Sequence, residues 1–224
     1  MRAVAARARL EEALALDGGT AVSLPGAQAD AQALALERGR HMHRLLELLP
    51  GIEPESRRKA GLRYVSASLP AALAGHGEAI VEEAVGVLEH GDFAQVFSGR
   101  ARTEVAVVGR IAAADGTKVE VSGQIDRLCV SDDTVFIVDF KTGNPPTDKE
   151  IAAELSQQMP LQALIAAKGG YKNVPAAPVS DLEYVAFKAK PSARSIGRNN
   201  NLPEAPDELA AKAEEGLIRL IAAY

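Results

Sequence analysis

Between Val121 and Gly143 the chain reads VSGQIDRLCVSDDTVFIVDFKTG. Two apolar runs are joined by a polar turn, and each run carries a carboxylate near the same end of the resulting hairpin. Alternation and β-branched content make each run a strand. The turn at Ser131–Asp133 then sets Asp126 opposite residue 138 or 139. Side chains two apart in a strand share a face, so Asp139 and Lys141 point the same way, roughly 7 Å apart along the backbone, while Phe140 points the other way. Two carboxylates facing one another across a ladder repel, and a compensating cation is what makes the arrangement tolerable. A hard divalent metal meets that need with oxygen ligands. Lys141 beside it can lower the pKa of an attacking water, orient that water, or stabilise a pentavalent phosphoryl transition state. The competing reading is a surface hairpin with a solvated Asp pair and a lysine at its tip.

The surrounding chain frames this hairpin. Residues 3–16 read as an Ala/Leu-rich helix ending at Gly18-Gly19, followed by a linker with Pro25 and Gly26. Residues 29–49 read as a helix with Leu34, Leu45, Leu46 and Leu49 among its apolar positions, 54–66 as a short basic helix or turn, and 70–90 as a helix with Ile80, Val81, Val85 and Leu88 at helical spacing. The period then shifts to that of strands. TEVAVVGRIA (103–112), an Asp-Gly turn at Ala114–Thr117, KVEVSGQIDRLCV and TVFIVDFK form an antiparallel meander. Residues 148–168 read as a helix that Pro160 kinks or splits, 181–188 as a fourth strand, KPSARSIGRNNNLPEAP (Lys190–Pro206) as a long polar, partly basic loop, and about 206–223 as a final helix. The expected class is α/β or α+β, a mixed central sheet flanked by helices. The expected division is a helical connector at 1–28 and one domain over 29–224.

Composition narrows the classes. The formal net charge of −5 argues against holding nucleic acid by bulk charge, and leaves room for a local basic face. A single cysteine, Cys129, excludes a disulfide framework, a cysteine-based zinc site and a four-cysteine iron–sulfur cluster within one chain, and suits a reducing cytoplasm. The first residues have no signal-peptide apolar core, because Arg7, Arg9, Glu11 and Glu12 interrupt it. No run of about 18 apolar residues occurs, so no membrane partner is expected. No G-x-x-x-x-G-K-[ST] is present, so no ATPase is expected within these residues.

GQIDRL followed by VDFKTG resembles the PD-(D/E)xK nuclease superfamily, specifically its RecB-like branch. RGRHMHRLLE (Arg38–Glu47) resembles that branch's upstream helix motif, and QMPLQ (Gln158–Gln162) its motif of a Gln followed four residues later by a Tyr. Gln162 holds the Tyr position, a departure that leaves the usual role of that position in question. Glu104 sits where the branch often has an acidic residue. Within the branch the chain looks most like the C-terminal nuclease domain of AddA-type helicase–nuclease subunits, since related nucleases carry iron–sulfur cysteines that this chain lacks.

The resemblance implies a restriction-endonuclease-like fold and Mg²⁺- or Mn²⁺-dependent hydrolysis of DNA, with no iron–sulfur cluster. Asp126, Asp139, His43 and the Phe140 carbonyl would be the metal ligands, Lys141 would position or activate water, and Gln158 would orient Lys141 or a phosphate. It also implies DNA, a helicase region of a longer chain and an AddB-like subunit as partners. A nuclease-fold module that only binds DNA or a subunit stays open, as does an unrelated metal-dependent phosphohydrolase. His41 falls on a different helix face from His43 and is not expected to be a ligand. Arg57, Arg58, Lys59 and Arg63 read as a solvated face; Lys188, Lys190, Arg194 and Arg198 are better placed for DNA; Cys129 reads as a small core or interface residue.

Overall fold

The computed structural model describes residues 26–98, 101–112, 116, 118–131, 133–187 and 191–223. The front helix expected at 3–16, Ala114, Asp115 and Thr117 of the Asp-Gly turn, and Lys188 and Lys190 lie outside those residues. Helix α1 spans Gly26–Leu48, α2 Pro54–Ser68 and α3 Gly77–Glu89. Strands β1 (Ala101–Ala112), β2 (Lys118–Val130) and β3 (Val135–Lys141) follow, then α4 (Asp148–Ala152), α5 (Gln158–Ala167), β4 (Val179–Ala186), β5 (Ser192–Ser195) and α6 (Pro206–Ala222). The sheet order is β1-β2-β3-β4-β5 among the described residues. The β3–β4 pair is parallel and the other neighbours are antiparallel, which makes this the mixed sheet the sequence predicts.

Alternation along the central strands sorts side chains into two cores. Val138 and Phe140 of β3, with Val185 of β4 and the following Phe187, face a layer built from Leu45, Leu46, Ile80 and Val81 of α1 and α3. Val135 and Ile137 of β3, with Leu182 and Tyr184 of β4, face Met159, Leu164, Leu209 and Leu217 of α5 and α6. A central strand apolar on both faces is what a sheet covered by helices on each side requires. Leu and Val are the commonest residues of the two layers together, joined by Ile in the α5–α6 layer and by Phe in the α1–α3 layer. At Gly61 of α2 a Cβ would lie 2.8 Å from Val81 Cγ1, so a larger residue there would push α2 off α3.

The structure differs from the sequence reading at three places. Residues 70–90 are a 3-10 turn at Ala71–His76 followed by α3, so the α-helix proper starts at Gly77. The helix over 148–168, expected to be kinked or split at Pro160, is split, but the break is at residues 153–157, ahead of Pro160. Pro160 falls in the first turn of α5, where a missing N–H leaves no intrahelical bond unmade. The segment read as a loop at Lys190–Pro206 contains β5, a short polar strand paired with β4 from Glu183↔Ser195 to Ala186↔Ser192. Its pattern SARS has no apolar alternation to reveal it, and a short edge strand needs none.

Candidate active site

The β2–β3 ladder runs from Val130↔Val135 to Arg127↔Val138, so continuing it by one residue would put Asp126 opposite Asp139, at the expected register. The ladder ends there, and Asp126 instead accepts a hydrogen bond from the Phe140 backbone N–H at 2.7 Å. On its other side β2 pairs Thr103↔Arg127 and Val105↔Ile125, with no pair between Glu104 and Asp126. Glu104 sits at φ 48°, in the left-handed region. Ile125 and Leu128, three apart, both join the α5–α6 core, whereas Arg127 reaches the Leu46 carbonyl on the opposite side. The pleat therefore slips by one residue between Ile125 and Leu128. Slips of this kind re-aim side chains at sheet positions near functional sites, and this one frees Asp126 from the ladder.

Two adjoining groups result. In the first, one ligand-type atom from each of His43, Glu104 and Asp126 lies within 4.8 Å of the others. His43 Nδ1 is 3.2 Å from Asp126 Oδ1, and its ring meets those of Phe140 and Phe187 edge-on at 6.2 and 6.3 Å. Burial works to lower the His43 pKa, but Asp126, then Glu104 and a hydrogen bond to the Phe140 backbone, outweigh it and hold the imidazole above its ordinary value. Burial and then the Asp126 charge push the Glu104 carboxyl up, and Gln124 donates to that carboxylate.

In the second group Gln158, the first residue of α5, bridges the other two functional residues. Its Nε2 donates to Asp139 Oδ1 at 2.7 Å and its Oε1 accepts from Lys141 Nζ at 3.1 Å. Lys141 Nζ is also 3.1 Å from Asp139 Oδ2, an ion-pair contact outside hydrogen-bonding geometry, because that oxygen makes no hydrogen bond. Asp139 is 4% exposed. Burial, then repulsion from Asp126, hold its carboxyl well above the usual range, against the Gln158 hydrogen bond. Burial lowers Lys141 to about 8. Desolvation thus drives both members of the pair toward their neutral forms, against their mutual attraction.

His43, Asp126, Asp139, Lys141, Gln158 and the Phe140 backbone all gather where the β2–β3 ladder stops, at the C-terminal end of β3. Asp139 lies outside the His43–Glu104–Asp126 triad, and Glu104, the more loosely matched acidic position, lies inside it. Gln162 does not share the role of Gln158. It is buried, donates to the Gln124 carbonyl at 3.1 Å, and its own carbonyl accepts from the Tyr171 hydroxyl, so it fastens α5 to β2. His41 is held by the Tyr64 hydroxyl at 3.0 Å. Arg194 is committed to Asp148 and the Pro146 carbonyl, Arg198 donates to the Ser180 carbonyl, and Arg58 pairs with Glu78 and Glu82. Cys129 is buried, with its thiol 3.8 Å from the Gln95 carbonyl.

Two contributors carried no role in the sequence reading. Gly39 of α1 lies against the residue after the lysine, since a Cβ there would be 3.3 Å from Thr142 Oγ1. Tyr184, 1% exposed, pairs with Asp139 across the sheet and has both Lys141 Nζ and the Arg194 guanidinium 5.5 Å from its ring centroid. Gly39 had a signal in its place within Arg-Gly-Arg-His; Tyr184 had none beyond its strand.

The donor set fits a hard or borderline divalent cation: carboxylate oxygens and one imidazole, no thiolate, and a buried oxygen at Asp139 Oδ2 that accepts no hydrogen bond and faces the Lys141 ammonium. A mixed sheet between helical layers, with carboxylates and a lysine gathered at the C-terminal end of a central strand, is a restriction-endonuclease-like architecture. The family model described as "PD-(D/E)XK nuclease superfamily" matches residues 5–224, and the chain belongs to that superfamily. Membership implies phosphodiester hydrolysis, and nucleases of this superfamily use divalent metals. No curated protein matches the chain significantly. A solved structure titled "Crystal structure of SSO0001" is similar at 15% identity, covering 71% of this chain and 69% of that one, with a TM-score of 0.32; a likeness this low carries no argument. No helix among the described residues is long and apolar enough to cross a membrane.

Proposed function

We propose that this chain is a metal-dependent DNA nuclease of the RecB-like branch, acting as an exodeoxyribonuclease. Its setting would be an AddAB-type helicase–nuclease that repairs double-strand breaks in the cytoplasm. The observation that carries this reading is the Gln158-bridged Asp139–Lys141 pair beside the His43–Glu104–Asp126 triad. In it, residues 29–224 form the nuclease, residues 1–28 connect it to a helicase region of a longer chain, and an AddB-like subunit completes the assembly. His43, Asp126, Asp139 and the Phe140 carbonyl hold Mg²⁺ or Mn²⁺, with Glu104 beside them. When bound, the cation supplies charge neutralisation at the phosphodiester and acidifies water. Lys141, whose lowered pKa makes the neutral amine accessible, would hold the attacking water and take its proton to become the ammonium, and Gln158, by accepting from Lys141 Nζ, keeps that nitrogen aimed at the same point. The mild negative net charge is tolerable because the helicase would deliver the strand.

Linear duplex and single-stranded DNA, given to the protein with Mg²⁺, should be shortened progressively from an end, and EDTA should stop the reaction. Fragments from covalently closed circles would rule out a requirement for ends. Intact DNA under every metal condition, with the same DNA retained on the protein, would favour the second reading, a nuclease-fold module that binds without cleaving. Gln162 is the local observation for that second reading, because the residue at the family's Tyr position is occupied in packing.

The elevated His43 pKa gives a pH dependence with a definite sign. A proton and a metal compete for the same imidazole. Mn²⁺ affinity, measured by calorimetry, should therefore fall as pH is lowered through the raised His43 value, by up to about tenfold per pH unit for each proton displaced. Affinity that stays flat between pH 8 and pH 5.5 would remove His43 from the ligand set.

A further inference from the structure

Arg127 is 3% exposed, yet it makes no ion pair with a carboxylate among the described residues, and its Nε has no hydrogen-bond partner. A buried guanidinium with no ion pair, helped only by the more distant charges of Asp126, Glu104 and Glu47, is expensive to keep, and an apolar residue of similar volume usually serves stability as well or better. The two contacts it does make are specific. One guanidinium nitrogen donates to the Leu46 carbonyl, and the guanidinium plane lies 4.8 Å above the Phe97 ring.

Both contacts lead to the triad. Leu46 is three residues beyond His43 on α1, so the Leu46 carbonyl is one helical turn from the histidine. Phe97 stacks on Phe140 at 5.9 Å with an interplanar angle of 5°. The Phe140 N–H binds Asp126, and the Phe140 ring packs against the edge of His43. Arg127 is also the residue next to Asp126, on the strand where the pleat slips. A single side chain thus ties β2 to α1 and backs the aromatic stack against which His43 and Asp126 are set.

We propose that Arg127 is a positioning residue for the divalent-cation site, holding α1 against β2 so that His43 meets Asp126. This rests on the metal-site reading above. It explains why a costly charge is retained in a core that Met would fill: the fork geometry, which lysine lacks, joins a helix carbonyl and an aromatic face at once.

The test uses R127M, which removes the fork, and R127K, which keeps a charge but cannot donate in a plane. V65A is a control that thins the same core layer away from the site. Three quantities are read on each: Mn²⁺ affinity by calorimetry, thermal midpoint, and the ring ¹⁵N shifts of His43 in the metal-free protein. R127M and R127K should both bind Mn²⁺ about 10- to 100-fold more weakly than wild type and should move the His43 ring signals. The R127M midpoint should be unchanged or higher. V65A should lower the midpoint with wild-type affinity and unmoved His43 signals. Wild-type affinity in R127M, or its recovery in R127K, overturns the proposal. Should R127M fail to fold, R127K decides by the same measures. A wild-type protein that binds no Mn²⁺ sinks the metal-site reading, and the His43 signals then decide the role of Arg127 alone: unmoved signals overturn it.

Discussion

Lys141→Ala is expected to slow DNA cleavage by about 10³-fold, the range for removing a positioned proton-transfer group or a charge-stabilising donor, while DNA binding stays within a few-fold of wild type. The physical basis is the environment of the ammonium. Burial holds Lys141 at about 8, close enough to working pH to exchange a proton, and Gln158 and Asp139 fix its position at 3.1 Å each. Lys141→Arg should not rescue, because a guanidinium is larger, planar and always charged. The loss should not come from unfolding. A lysine whose folded pKa lies below its unfolded value near 10.5 costs stability most at low pH, and that cost disappears as pH rises through the folded value toward the unfolded one. Wild-type stability should therefore climb between about pH 8 and pH 10.5, a rise that the volume-keeping Lys141→Met should lack. Cleavage by Lys141→Ala at more than a tenth of the wild-type rate would remove Lys141 from the chemistry.

The parts of this site readable in the sequence are those with a period. The β2–β3 hairpin follows from alternation and its turn, and the register it implies for Asp126 and Asp139 matches the ladder as far as the ladder runs. The position of His43 on α1 and of Gln158 on the helix after β3 came with the family resemblance. Features that break a period were not readable. The slip between Ile125 and Leu128 depends on a left-handed Glu104, a residue type with no special tolerance for that region, so nothing in Thr103–Val105 announces it. It nonetheless decides that Glu104, and not Asp139, completes the His43–Asp126 triad. Gln158 and Gln162 share a helix face as their spacing requires, but α5 crosses two strands. The first meets β3 at Asp139 and the second meets β2 at Gln124. Arg127 reads as an ordinary polar position of an alternating strand, and only the packed structure exposes it as a buried cation with two directional contacts.

Mn²⁺ or Mg²⁺ should raise the thermal midpoint of the wild-type protein, and Asp126→Asn should erase that rise. A cation at 100 times its dissociation constant stabilises by about 2.7 kcal/mol, or roughly 5–11 °C for a chain of this size. The effect should grow with pH for two reasons. His43 is held above its ordinary pKa, so it keeps a proton that competes with the metal at low pH. Asp139 is held well above 3.8, by burial and then by Asp126, so the folded state binds its proton more tightly than the unfolded state. The metal-free protein therefore loses stability as pH rises through the folded Asp139 value. The cation then has a destabilised carboxylate to neutralise, and its contribution is largest where the metal-free fold is weakest. Asp126→Asn removes the charge that both His43 and Asp139 respond to. It should lower the His43 pKa, remove the lesser of the two causes that raise the Asp139 carboxyl while burial keeps the larger, and make the pH profile of the metal-free midpoint shallower. A midpoint that still rises with metal in Asp126→Asn would place the cation elsewhere on the protein. A metal-induced rise that is equal at pH 6 and pH 8 would mean that neither His43 nor Asp139 gives up a proton to it.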